Sequence, residues 1–317
     1  MTCRKCEHGI AKRFGFTKAR TARYRCRACG ATFTEPKQTP LGAHTTSLDD
    51  AVKVFTLMTE GMSLRAISRV TDIHKTTILS LLNTVGEKCV RLFDAKVQNV
   101  KPRFVQADEI WTFVQKKQKR LTMKDNPAER GDQYVWIALD SETKAVLSYY
   151  VGKRDGFSAY EFIGDLNQRI AERHRFQITT DGLEGYVPAI EEHFGADVDF
   201  AQLVKMYTTP NTSGPDWFRP SKVVRAIPTP ISGDPDFSRI STSHIERANL
   251  TLRMQMRRFT RLTNGFSKKL ENLKAAVAVF MTWYNFCRVH QTLRVTPAME
   301  AKLTDHVWSI RELLTVA

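Results

Sequence analysis

The sequence predicts an α/β fold built on a mixed-sheet core, preceded by a small metal-stapled segment and an all-helical segment. Three observations predict it. Two Cys-x-x-Cys pairs precede Gly30. Apolar residues recur at helical spacing through residues 47–93. From Phe104 onward the period changes to short β-branched and aromatic runs, which then alternate with helical stretches.

The 317 residues suffice for two or three domains, and 42% hydrophobic content excludes general disorder. Lys and Arg number 48 against 33 Asp and Glu, a net charge of +15. That excess fits a polyanionic partner, because each neutralised phosphate releases condensed counterions. No run approaches the ~18 apolar residues of a membrane span; the best, Ala275 to Met281, is far too short. The N-terminus lacks an apolar signal core, so an intracellular location is expected. In a reducing compartment, the six cysteines read as metal ligands or buried thiols.

Residues 1–40 form the first expected domain. Cys3-x-x-Cys6 and Cys26-x-x-Cys29 each supply two thiolates from one tight turn, which suits a tetrahedral Zn²⁺. Apolar residues are too sparse here for an independent core, so a structural zinc is expected to fold the segment as a zinc ribbon. Cys89 and Cys287 lie on apolar helix faces and read as buried thiols. Basic residues alternate with Phe14, Phe16, Tyr24 and Phe33, a mixture suited to DNA backbone or to the ribbon's own small core.

Residues 41–93 read as helices. Ser63 opens one carrying Leu64, Ile67 and Val70, and a short turn at Thr71-Asp72-Ile73 leads to another carrying Ile78, Leu81, Leu82 and Val85. This fits a helix-turn-helix, although an ordinary helical hairpin has similar spacing. In the helix-turn-helix reading, Arg69, His74, Lys75, Thr76 and Thr77 face double-stranded DNA.

Residues 94–103 read as a linker and 104–295 as the core. Strands are expected at Phe104–Ala107, Tyr134–Leu139, Ala145–Val151, Phe176–Thr180 and Leu203–Thr208, with helices at Ser158–Arg173 and Val187–Phe194. The Pro-rich stretch 209–240 reads as a long irregular insertion. Helices follow near 241–261 and 267–289, and 296–317 is a helical tail. This order places the first and fourth strands side by side in an RNase H-like sheet. Asp108 and Asp181 then stand together at the ends of those strands, and a packed helix can add Glu246. Three carboxylates suit hard divalent ions, Mg²⁺ or Mn²⁺, and two such ions can activate a nucleophile and stabilise a leaving oxygen. Each acid alone has a bland reading. An Asp before Gly is a common turn residue, and a Glu in the first helical turn complements the dipole. Glu109 and Asp140 are rival metal ligands by their positions; Glu109 reads as a supporting group and Asp140 as the hairpin turn. Asn249 and Arg253 share the helix face of Glu246 and are expected to hold a DNA phosphate.

Taken together, these motifs resemble bacterial insertion-sequence transposases of the DDE type, with a retroviral-integrase-like core. The resemblance runs through the Cys-x-x-Cys pairs, the helix-turn-helix, Ala107-Asp108-Glu109-Ile110-Trp111, Thr180-Asp181-Gly182, His244-Ile245-Glu246-Arg247 with Asn249, and Trp283-Tyr284-Asn285 through Thr296-Pro297-Ala298. The Pro-rich stretch makes the gap before Glu246 longer than in many relatives. The resemblance implies metal-dependent cleavage of element ends and strand transfer into target DNA. It also implies that Asp108, Asp181 and Glu246 are catalytic metal ligands, that the protein works as a homodimer or larger synaptic complex, and that it associates with a bacterial nucleoid. The competing expectations are a sequence-specific DNA-binding regulator with an inactive core, an RNase H-like nuclease without strand transfer, and an enzyme acting on a small substrate.

Overall fold

The computed structural model describes all residues except 1, 4, 19, 35–39, 43, 209–222, 261–262 and 317. The chain divides into two compact units, Met1–Thr46 and Ser47–Ala317. Among the described residues, no helix is long and apolar enough to cross a membrane.

The first unit is a three-stranded antiparallel sheet of β1 (Ala11–Phe16), β2 (Ala22–Cys26) and β3 (Thr32–Thr34). It has almost no core. Strand β1 is exposed along nearly its whole length, and Tyr24 stacks on Phe33 at 6.2 Å. Gly30 adopts φ +69°, a left-handed turn that closes the second cysteine pair back onto β2 through its N–H to Cys26 O (3.1 Å).

The second unit opens with α1 (Leu48–Thr59), α2 (Leu64–Thr71) and α3 (Lys75–Lys96). Ser47 and Ser63 cap the first two through side-chain oxygens that accept from Asp50 N and Ala66 N. Asp72 takes the left-handed conformation that ends α2. Helix α3 runs 22 residues, past the expected end near 93 and into the expected linker. The rest of that linker is pinned as well: Val97 is fully buried, and Val100 exchanges backbone hydrogen bonds with Arg169 and Ala171.

The core is a six-stranded mixed sheet. Its strands are β4 (Phe104–Val114), β5 (Gly131–Asp140), β6 (Val146–Gly152), β7 (Phe176–Asp181), β8 (Val198–Tyr207) and β9 (Val223–Ser232). Their order is β6-β5-β4-β7-β8-β9, with β4–β7 and β7–β8 parallel and the other pairs antiparallel. The first and fourth core strands are therefore neighbours, as the sequence reading expected. Helices α4 (Gly156–Arg169) and α5 (Tyr186–Phe194) cover one face, where Trp136 meets Phe162 and Tyr186. On the other face lie α6 (Ser243–Gln255) and α7 (Leu270–Phe286), whose Leu252 and Met281 enclose Ile137. The tail forms two short helices, α8 (Pro297–Glu300) and α9 (Ile310–Val316).

The expected irregular insertion needs correction as well. Residues 223–232 are not irregular: they form β9, which pairs with β8 from Tyr207↔Val223 to Phe200↔Ser232. Pro228 and Pro230 sit in this strand because it is the sheet edge, where a missing N–H breaks no ladder. The remainder of the expected insertion, 209–222, lies outside the described residues.

Helix α7 is buried on nearly every side. Asn285 stitches it to β6 by accepting from Val146 N (2.9 Å) and donating to Val146 O (2.7 Å). Helix α3 lies against α7 so closely that a Cβ on Gly86 would stand 2.5 Å from Ala275 Cβ. Gly86→Val is accordingly expected to lower unfolding free energy by about 3 kcal/mol in chemical denaturation. A loss of less than about 1 kcal/mol would contradict this account of the α3–α7 contact.

Candidate active site

Strands β4 and β7 pair only from Phe104↔Gln177 to Gln106↔Thr179. Two residues further along each strand, where the pairing has ended, stand Asp108 and Asp181. β4 itself continues to Val114 beside β5, so Asp108 lies within a long strand rather than at its end, as had been expected. The cleft comes from the splay of β7 away from β4.

Side chains alternate across a strand, and the contacts assign the faces. Gln106 and Asp108 face α6. Gln106 Oε1 accepts from the backbone N–H groups of His244 (2.9 Å) and Ile245 (3.1 Å), satisfying two donors that a helix start leaves free. Asn249, nearly two turns along, donates Nδ2 to Asp108 Oδ2 (2.8 Å), while Asp108 Oδ1 accepts from Glu109 N (2.9 Å). Glu109 faces the other way. Its carboxylate accepts from Tyr186 Oη (3.1 Å) on α5 and from Arg154 Nε (2.6 Å). Asp181, at the rim, accepts from Leu183 N (3.1 Å) and lies 3.5 Å from Arg154. Carboxylate oxygens of Asp108, Glu109 and Asp181 all lie within 4.8 Å of one another.

Burial raises Asp108 to about 6, and the Asp181 charge adds to the effect. Burial followed by Asp181 raises Glu109 to about 7, against the opposing pull of Arg154. Hard oxygen donors crowded until they resist ionisation are a donor set that a divalent cation would relieve, so these residues fit one.

Glu246 stands apart from this trio. It accepts from Thr242 Oγ1 (2.6 Å) and is paired with Lys205 on β8. Burial works against its charge, but Lys205 and Thr242 outweigh burial and hold it below the usual carboxylate range. It still raises Asp108 through space. Asn249 is not free for a phosphate, as had been expected: it is buried and committed to Asp108. Arg253 is half-buried, with Nη1 3.5 Å from Phe259 O. Asp140 closes its hairpin by accepting from Glu142 N (2.9 Å) and Thr143 Oγ1 (2.7 Å). Arg154, Tyr186 and Lys205 carried no signal in the sequence. Glu109, expected as a supporting group, carried one signal, its adjacency to Asp108.

The four cysteine sulfurs of the first unit also lie within 4.8 Å of one another. Cys3–Cys29 and Cys6–Cys26 are each 3.6 Å apart, close to the ~3.8 Å edge of a tetrahedron with ~2.3 Å metal–sulfur bonds. Backbone N–H groups of Lys5 and Ala28 point at Cys3 and Cys26 Sγ (both 3.4 Å), as thiolates require. The Lys5 N–H is the chief cause that draws the Cys3 thiol down to about 6. Among the residues expected at DNA, Arg69, His74, Lys75 and Thr76 are exposed and Thr77 is half-buried. His74 caps α3, accepting from Thr76 N.

No protein-family model and no curated protein matches the chain. Similar solved structures include the Mos1 strand transfer complex, at 13% identity and TM-score 0.22, covering 50% of this chain and 58% of that one. They also include a piggyBac transposase synaptic complex with hairpin DNA, at 12% identity and TM-score 0.40, covering 86% and 70%. A Mos1 mariner paired-end complex with Mn matches at 12% and 0.21, covering 47% and 57%. The chain thus spans less than two-thirds of those Mos1 chains. At such identities and TM-scores the likeness carries no weight for activity, which rests on the residues themselves.

The raised carboxyls set a sign for pH dependence. Folded-state values above the unfolded ones mean that stability from Asp108 and Glu109 is present at low pH and lost as pH rises through about 6 and about 7. For Asp108 the cost at neutral pH is about 3 kcal/mol. In chelator at pH 7.5, Asp108→Asn is therefore expected to melt above the wild type, with the gap roughly halved at pH 5 and closing only as pH falls towards about 4. Mn²⁺ is expected to raise the wild-type midpoint and leave the variant's nearly still. A variant melting below the wild type at pH 7.5 would contradict the repulsion.

Proposed function

We propose that the chain is a DDE-type DNA transposase of a bacterial insertion sequence, which binds element ends and performs metal-dependent DNA cleavage and strand transfer. The observation that carries this reading is the meeting of Asp108 and Asp181 where β4 and β7 part, with Glu109 beside them, in a chain of net charge +15. Phosphodiester chemistry needs a concentrated patch of oxygen ligands inside a surface that attracts phosphate, and both are present.

In this reading Asp108, Asp181 and Glu246 are the catalytic carboxylates and hold two Mg²⁺ or Mn²⁺ ions. Such ions supply Lewis-acid stabilisation of the attacking and leaving oxygens. The chain's own groups do the positioning. Asn249 orients Asp108, Gln106 anchors the α6 start that carries Glu246, and Arg154 and Lys205 offer positive charge to phosphate oxygens. The four cysteines hold a structural Zn²⁺ as a zinc ribbon, and α2 and α3 act as the helix-turn-helix that places Arg69, His74, Lys75 and Thr76 against double-stranded DNA. A homodimer or larger assembly would hold two element ends together.

One observation favours the second reading, a DNA-binding regulator with an inactive core. Arg154 spans Glu109 and Asp181, and Lys205 pairs with Glu246, so internal cations already neutralise the acids. A single assay separates the two: labelled duplex carrying the gene's own flanking sequence, incubated with Mg²⁺ or Mn²⁺, with chelator, or with the Asp108→Asn protein. Nicked and joined products are expected from the wild type with metal and from neither control. DNA shifted but uncut, alike for both proteins, would overturn the transposase reading and leave the regulator.

A further inference from the structure

Away from the carboxylates, the second unit contains a cavity of about 590 Å³. Its walls come from the end of α1, the start of α2, the first turns of α3, the segment after α6, and α7. The size suits one small organic ligand. Its charge is one-sided. Among the described residues, Arg65, Lys75, Arg257, Arg258 and Lys268 line it, and no acidic residue does. Four of these cations are exposed at the mouth, while Arg258 is half-buried. Among the described residues, Arg258 has one hydrogen bond, Nε to Ser267 Oγ (2.9 Å), and no ion pair. Burial without a carboxylate beside it draws this guanidinium down to about 10.

The interior has different chemistry. Phe266 and Phe280 contribute aromatic surface, with Met62 and Met256 beside them. Asn272 also lines the cavity, and its buried Oδ1 has no hydrogen-bond partner. A buried amide oxygen left unpaired is costly unless a ligand donates to it. The wall is closely fitted at Gly265, where a Cβ would stand 2.6 Å from Arg257 O.

A cationic rim, an aromatic wall and an orphaned amide acceptor are together complementary to one ligand class, a nucleotide. We infer that this cavity receives a single unpaired nucleotide of bound DNA, with its phosphate on Arg258 and the rim and its base against Phe266 and Phe280. Lys75 and Thr76, expected at DNA from the sequence, stand on its edge. The site would therefore hold a displaced nucleotide next to the duplex that α3 contacts. A protein side chain or lipid tail would leave five cations unanswered. The inference rests on the DNA-binding part of the proposed function and adds a site to it.

The test compares two 30-bp duplexes of one sequence, perfect or with a single bulged thymidine, by fluorescence anisotropy with the full chain. The wild type is expected to bind the bulged duplex about tenfold more tightly, as stacking of one base allows. Arg258→Gln is expected to abolish that ratio. Lys268→Gln, at an exposed position where folding is not at stake, is expected to reduce it severalfold. Thymidine 5′-monophosphate should displace the bulged duplex at concentrations where inorganic phosphate does not. Equal affinity for the two duplexes, a ratio unchanged in Lys268→Gln, or equal competition by phosphate would overturn the nucleotide site while leaving DNA binding intact. Failure to bind either duplex would overturn the DNA reading and this site with it.

Discussion

Repulsion among carboxylates held in place by backbone pairing organises this protein. The parallel register of β4 and β7, which ends at Gln106↔Thr179, aims Asp108 and Asp181 into one cleft two residues further on. Glu109 adds a third charge from the opposite face. The surroundings answer that repulsion. Arg154 reaches in from beyond β6, Lys205 from β8, and Tyr186 and Asn249 contribute neutral donors. Even so, Asp108 and Glu109 titrate far above ordinary carboxylates. A structure selected for stability alone would not gather these groups.

The rest of the second unit reads as support for that cleft. Gln106 fixes the start of α6, and so fixes Asn249 and Glu246 relative to Asp108. Asn285 ties α7 to β6 on the same side of the sheet. The Gly86–Ala275 contact then carries α3 on α7, so the helices expected to meet DNA are built onto the layer that bears the carboxylate cleft rather than tethered beside it. The first unit works on another principle. With hardly any apolar burial, its four clustered sulfurs are the feature that a bound metal would turn into a fold-stabilising staple.

Much of this was legible in the sequence, and the failures have physical causes. Strand order follows from the alternation of β and helical periods, and with it the meeting of Asp108 and Asp181. The cysteine cluster follows from spacing alone. β9 was hidden because Pro228 and Pro230 read as breakers, whereas an edge strand tolerates them. That Glu109 joins Asp108 and Asp181 is not visible in the sequence, which does not show where β7 splays far enough for carboxylates from both faces of β4 to meet. Asn249 looked free because helical spacing gives a face but not what the face meets. The pairs Arg154–Glu109 and Lys205–Glu246 join residues 45 and 41 apart, beyond any local pattern. The nucleotide-sized cavity draws on five separate elements and has no signature in any one of them.

The central claim is that the cleft between β4 and β7 is a divalent-cation site. The most direct test is a crystal grown with Mn²⁺ and measured for anomalous scattering. The account predicts a peak between the carboxylates of Asp108 and Asp181, with Arg154 drawn away from Asp181. An empty cleft with Arg154 still bridging Glu109 and Asp181, at Mn²⁺ concentrations that saturate ordinary carboxylate sites, would contradict it.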